Sequence, residues 1–105
     1  EVRRGRIGVA VQDLTPDLAD ALNLTDSSGA VVGSVEDGSP AASAGLQAGD
    51  VIVSVDRHPI SGSADLRNRI GLTPVGSDVA VEYLRDGARK RLTIRVAPEN
   101  AALSA

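Results

Sequence analysis

Behind the glycines Gly5 and Gly8, apolar residues alternate at Ile7, Val9 and Val11. This pattern predicts a strand with one apolar face, led by a turn whose glycines leave backbone N–H groups uncovered. Leu14, Leu18, Ala21 and Leu22 then recur on one helical face. With Thr15 as cap, Pro16 at the first helical position and Asp17 favouring the dipole, they predict a short helix ending near Asn23. A polar turn follows over 25–29, then a β-rich segment over 30–36 with moderate alternation. Ser39 and Pro40 open another helical turn through Ala41, Ala42 and Ala44, which Gly45 closes. A tight loop leads into the run at 51–56, the strongest strand signal in the chain. Residues 56–59 form a turn, because His58 precedes Pro59 and is pushed out of the helical region, and Ile60 adds a short return strand. The best helix spans 61–72, with Ser63 as its N-cap and Leu66 and Ile70 one turn apart. Strands at 78–85 and 89–96 close the pattern, joined through Asp86-Gly87, a strong hairpin signal. In the last strand Leu92, Ile94 and Val96 face inward.

Five to six short strands with two to three helices describe one small α+β domain over 1–97, a curled antiparallel sheet or partial barrel capped by helices. Residues 98–105 lack a periodic pattern and read as a tail or linker. One consequence bears on function. The glycine-led strand and the late amphipathic helix can lie side by side with an apolar groove between them. Such a slot suits an extended peptide, whose backbone needs a strand edge and whose carboxylate needs converging N–H groups. The glycines also have an ordinary reading, as relief for a turn.

Composition narrows the field. The 105 residues are 42% hydrophobic but contain no Phe, Trp, Met or Cys and one aromatic, Tyr83. The core is therefore built from small aliphatic contacts, and base-stacking platforms for nucleic acid are missing. A net charge of −3 and a pI near 5.0 give no basic field for phosphate backbones or acidic lipid surfaces. Zero cysteines exclude disulfides and thiolate metal sites, and no apolar run reaches the length of a membrane span or signal core. Opening on Glu1 rather than Met suggests a piece of a longer chain.

These pieces resemble a PDZ domain of the bacterial type, and specifically the first PDZ domain of HtrA (Deg) serine proteases. The resemblance is carried by Arg4-Gly5-Arg6-Ile7-Gly8-Val9, by 11–16 and 29–32, by 65–67 and 84–87, and above all by the block 38–52 with its Gly-Ser-Pro-Ala-Ala start and Gly-Asp-Val-Ile end. It covers nearly the whole chain apart from its tail. It implies a permuted strand order in which the groove strand comes first. Arg6, Ile7, Gly8 and Val9 would match the carboxylate-binding loop, and Val9, Ala10 and Val11 the edge that a peptide extends. The late helix would wall the other side, with Ile70 in the pocket for the last ligand side chain and Leu66 and Arg69 as further groove residues. Relatives often carry an aromatic residue where Arg6 stands, so the rim here is charged. The resemblance further implies a periplasmic or envelope setting, C-terminal peptides or unfolded proteins with apolar ends as partners, a linked protease domain and a homo-oligomeric parent.

Catalytic chemistry is missing from the chain itself. A protease needs a nucleophile, a base and an orienting acid, and the one histidine, His58, sits before a proline with no serine in a nucleophile motif. One histidine without cysteine makes no usual metal shell, and the glycines form no phosphate-loop pattern, so neither metal nor cofactor is expected. Acidic pairs such as Asp17 with Asp20 sit where helix starts and turns explain them. Arg89, Arg91 and Arg95 fall on the outer face of the hairpin, while Arg3 and Arg4 lie where a positive charge would help a bound carboxylate. The expected function is a non-catalytic module that binds hydrophobic C-termini. Two alternatives stand beside it: a contact module between domains or subunits that gates the protease without a peptide, and a PDZ domain of another envelope protease.

Overall fold

The computed structural model describes residues 5–21 and 28–98. In chain order the elements are β1 (Gly5–Arg6), β2 (Val9–Asp13), α1 (Pro16–Ala21), β3 (Ala30–Val35), α2 (Pro40–Ala44), β4 (Val51–Val55), β5 (His58–Pro59), α3 (Ser63–Leu72), β6 (Asp78–Arg85), β7 (Ala88–Arg95) and β8 (Ala97–Pro98). The main sheet is open and antiparallel, ordered β2-β3-β4-β6-β7, with β5 beside β4. Both β2 and β7 are edge strands.

Local chemistry accounts for most boundaries. Thr15 caps α1, its hydroxyl accepting from the Leu18 N–H at 3.2 Å. The end expected near Asn23 and the Leu22 contact lie outside the described residues. Ser39 caps α2 by accepting from the Ala42 N–H at 3.2 Å, Pro40 starts the helix, and Gly45 ends it in the left-handed region at φ 100°. The β6–β7 hairpin turns on Asp86 and Gly87, both at positive φ, as a two-residue turn matched to strand twist requires.

The β4–β5 connection departs from expectation. Asp56 and Arg57 both take positive φ and make the whole turn, so His58 and Pro59 already pair with Val55 and Ser54. His58 is therefore a strand residue, and the buried Ile60 follows the strand. Its place before Pro59 excludes helix, but extended backbone satisfies that restriction as well as a turn does.

Side chains explain why β3 and β4 alternate poorly. Val32 and Ile52 pack with α2 and α3 in the main core, whereas Val31 and Val51 pack on the opposite face with Leu14 and Ala19. Strands covered on both faces read as continuous apolar runs. Between these layers Asp50, only 2% exposed, receives both Arg85 Nε (2.8 Å) and Nη2 (2.7 Å), as well as the Gln47 N–H (2.9 Å). Arg85 also donates to the Gly45 carbonyl at 3.0 Å and lies over the Tyr83 ring, so the loop after α2 is fastened to β6.

The chain closes on itself at β1 and β8. Gly5 pairs with Pro98 and Arg6 with Ala97. Strand pairing in the described residues thus reaches Pro98. Proline is tolerated because this ribbon stands apart from the main sheet.

Candidate peptide-binding groove

The turn between β1 and β2 is held by its carbonyls. Ile7 C=O accepts from the Ala41 N–H at the start of α2, and Gly8 C=O accepts from the Glu36 N–H, both at 2.8 Å. Neither the Ile7 nor the Gly8 N–H has a carbonyl partner among the described turns and loops. Gly8 sits at φ +89°, where a side chain is strained, and a Cβ there would run into Ser39. Ser39, the α2 cap, thereby explains why the loop needs glycine. The most specific block of the sequence builds the wall against which the opening turn is shaped.

Edge polarity follows from the register. Val9 is paired with Val35, yet the neighbouring Glu36 N–H bonds Gly8, so Val9 belongs to a non-hydrogen-bonded pair. Its own N–H and C=O therefore point away from β3. Val11, opposite Val32, lies in the same orientation, because the Val32 N–H is bonded across to Asp50 and its C=O receives Gly49. Alternation carries the pattern to Asp13. Ala10 faces the other way, toward β3, and contributes to the edge only as the spacer between Val9 and Val11. The N–H of Val9 thus points away from β3 at the head of an open strand edge, next to the Ile7 and Gly8 N–H groups that have no carbonyl partner among the described turns and loops.

Helix α3 lines this edge. Ser63 lies at its start, and Asp13 at the end of β2 reaches it: Asp13 Oδ1 accepts from the Ser63 N–H at 2.7 Å and from the Ser63 hydroxyl at 2.8 Å. These bonds, the backbone one first, hold the Asp13 carboxyl below its usual range, with the Arg67 guanidinium adding a smaller pull. Ser63, expected as the N-cap, does not hold that position. Gly62 occupies the N-cap position and offers no side chain, Ser63 is the first helical residue, and the capping oxygen comes from fifty residues earlier. Nothing in the local sequence signals a cap supplied from another element.

Helix phase sorts the remaining residues. Leu66 and Ile70 are wholly buried with Ile7 and Val9 in the main core, and Val11 packs against the same cluster. The structure thus gathers Ile7, Gly8, Val9, Val11, Leu66 and Ile70 along one seam between β2 and α3. Arg69 is elsewhere. At 100° per residue it points well away from Ser63 and Ile70, and it lines a cavity of about 380 Å³ with Asp56, His58 and Asp78. Arg67, expected only as part of the 65–67 match and not as a groove residue, is a cation that acts on Asp13. The side chain of Arg6, and Arg3 and Arg4 altogether, lie outside the described residues.

The profile of the PDZ domain family matches residues 5–96, which is nearly all of the chain. The chain belongs to the PDZ domain family. Members of this family are non-catalytic modules. Among curated proteins the PDZ domain is 43% identical over 101 residues to a probable periplasmic serine endoprotease, DegP-like, of Pseudomonas fluorescens, covering 94% of this chain and 21% of that protein. It is 35% identical to the similarly named protein of Rickettsia conorii, over 95% of this chain and 20% of the relative. The chain thus spans about a fifth of the length of these relatives. Two solved structures share its shape. One is the HtrA-type protease AlgW with a decapeptide (TM-score 0.85, 36% identity, 95% of this chain and 31% of that one). The other is the HtrA3 PDZ domain bound to a phage-derived ligand, FGRWV (TM-score 0.79, 28% identity, 92% of this chain and 88% of that one).

Proposed function

We propose that this PDZ domain captures extended peptides by their C-terminal carboxylate. The observation that carries this reading is the run of N–H groups at Ile7, Gly8 and Val9 without a carbonyl partner among the described turns and loops, heading a strand edge with no partner strand in the described sheet. A peptide laid antiparallel to β2 would pair with Val9 and Val11 and end at the Gly8 turn. Its last side chain would enter the apolar seam at Ile70. The two solved relatives with peptide or phage-derived ligands support the same use of the fold.

The larger protein, on this reading, is a serine endoprotease of the HtrA type acting in the periplasm, as the names of the DegP-like relatives indicate. The domain would recruit unfolded proteins with apolar ends or relay ligand occupancy to a linked protease domain in a homo-oligomer. The alternative of a contact surface built on the outer hairpin arginines has weaker support. Arg89 and Arg95 are already paired within the hairpin, with Glu82 at 3.1 Å and Asp78 at 3.4 Å.

The test is a titration with peptides ending in valine, free or amidated at the terminus. Hydrogen bonds to a charged group contribute about 1.5–3 kcal/mol, so amidation should weaken binding about tenfold or more. Equal affinity for both forms would exclude the carboxylate loop.

A further inference from the structure

We infer that Asp13 is a positioning residue for the groove, the latch that fixes how far α3 stands from β2 and so which last side chain the domain admits. This rests on the peptide-binding reading above and adds a determinant of its selectivity.

Asp13 is the last residue of the strand edge, and its carboxylate crosses to the helix opposite, where one oxygen accepts both the N–H and the hydroxyl of Ser63. The helix has no cap of its own, since the N-cap residue is Gly62. What a side chain at Gly62 would disturb is a contact and not the backbone conformation. Its backbone is extended at φ 177°, which any residue adopts, but a Cβ would come within 2.8 Å of Asp13 Oδ1. At the opposite end α3 is also seated closely, because a Cβ on Gly5 would lie 2.9 Å from the Ile70 carbonyl and 3.1 Å from that of Thr73. The wall of the groove is therefore tied to the floor strand and its lead at both ends. Between the ties Val9, Leu66 and Ile70 have no exposed surface. On this inference a ligand side chain enters by moving the helix outward, and the Asp13 bonds oppose that movement at the far mouth. The cap is thus strung across the binding groove, so the chain that caps the helix also sets the width of the slot.

The experiment measures dissociation constants of the wild-type protein and four variants for three decapeptides with free carboxylates, identical except for a last residue of Ala, Val or Phe. Wild type should favour Ala and Val over Phe. Asp13→Ala and Gly62→Ala should each narrow the Phe-to-Val ratio about fivefold, the scale of one lost cap interaction. Asp13→Asn keeps an acceptor oxygen and should keep the ratio, and Ser63→Ala, which loses one of the two bonds, should fall between. Ser63→Ala retains the backbone N–H bond and carries the test should a harsher variant not fold. Unchanged ratios in all variants, or equal weakening for all three peptides, would overturn the inference while leaving the groove intact. Failure of the wild type to bind any of the peptides would overturn the groove reading and this inference with it.

Discussion

Gly8 concentrates two demands at one residue. Its φ of +89° belongs to the left-handed region, and the space where a Cβ would sit is taken by Ser39. Gly8→Ala should therefore destabilise the fold by roughly 1–3 kcal/mol, the usual cost of a strained backbone position, as read from urea unfolding. It should also weaken peptide binding in the folded fraction, because relieving the clash turns the N–H groups off their common target. Asp13 makes a different kind of demand, one that depends on pH. Its folded-state carboxyl titrates below the ordinary 3.8 because Ser63 donates to it twice. The ionised form then favours the fold, fully so above the ordinary carboxylate range, and the contribution is lost as pH falls through the lowered value. The stability gap between wild type and Asp13→Asn should stay constant from pH 7 down to about 5 and shrink below that. A gap unchanged down to pH 2 would show that the charge contributes nothing.

Elements differ in how openly the chain announces them. Strands β6 and β7 and the turn at Asp86-Gly87 are legible because one face is wet, so polar and apolar residues alternate. The α2 turn is legible because cap, proline and closing glycine stand at fixed spacing. The Gly8 loop and its alignment with α3 were legible mainly through the resemblance of 4–9 and 38–52 to a known family. What stayed hidden depends on residues far apart: the Asp13 cap, the β1–β8 ribbon, and the phase of α3, which turns Arg69 away from the seam. Leu66 and Ile70 are apolar at helical spacing whether they line a groove or fill a core, and here they belong to the core cluster. An arginine at Ile70 would thus test folding before it tested binding. Ile70→Ala is the informative change. It should cost about 2–5 kcal/mol of stability through the cavity it leaves, checked by urea unfolding.

At the scale of the molecule, the binding turn is suspended between two sheets. On one side β2 joins the main sheet through β3, and on the other β1 joins β8, so the turn's position depends on a ribbon of two residues per strand. Since Pro98 has no N–H, the Arg6–Ala97 pair supplies the backbone bonds of that ribbon. Ala97 therefore positions a loop ninety residues earlier in the chain. A chain ending after Pro98 keeps this pair, and one ending after Val96 lacks it. Each backbone bond contributes about 0.5–1.5 kcal/mol, so the shorter chain should be less stable by roughly 1–3 kcal/mol in urea unfolding. Its affinity for a peptide ending in valine should fall as well, because β1 no longer fixes the direction in which Ile7 and Gly8 present their N–H groups. Binding that is equal in the two truncated chains would show that Ala41 and Glu36, through the Ile7 and Gly8 carbonyls, hold the loop without help from the ribbon.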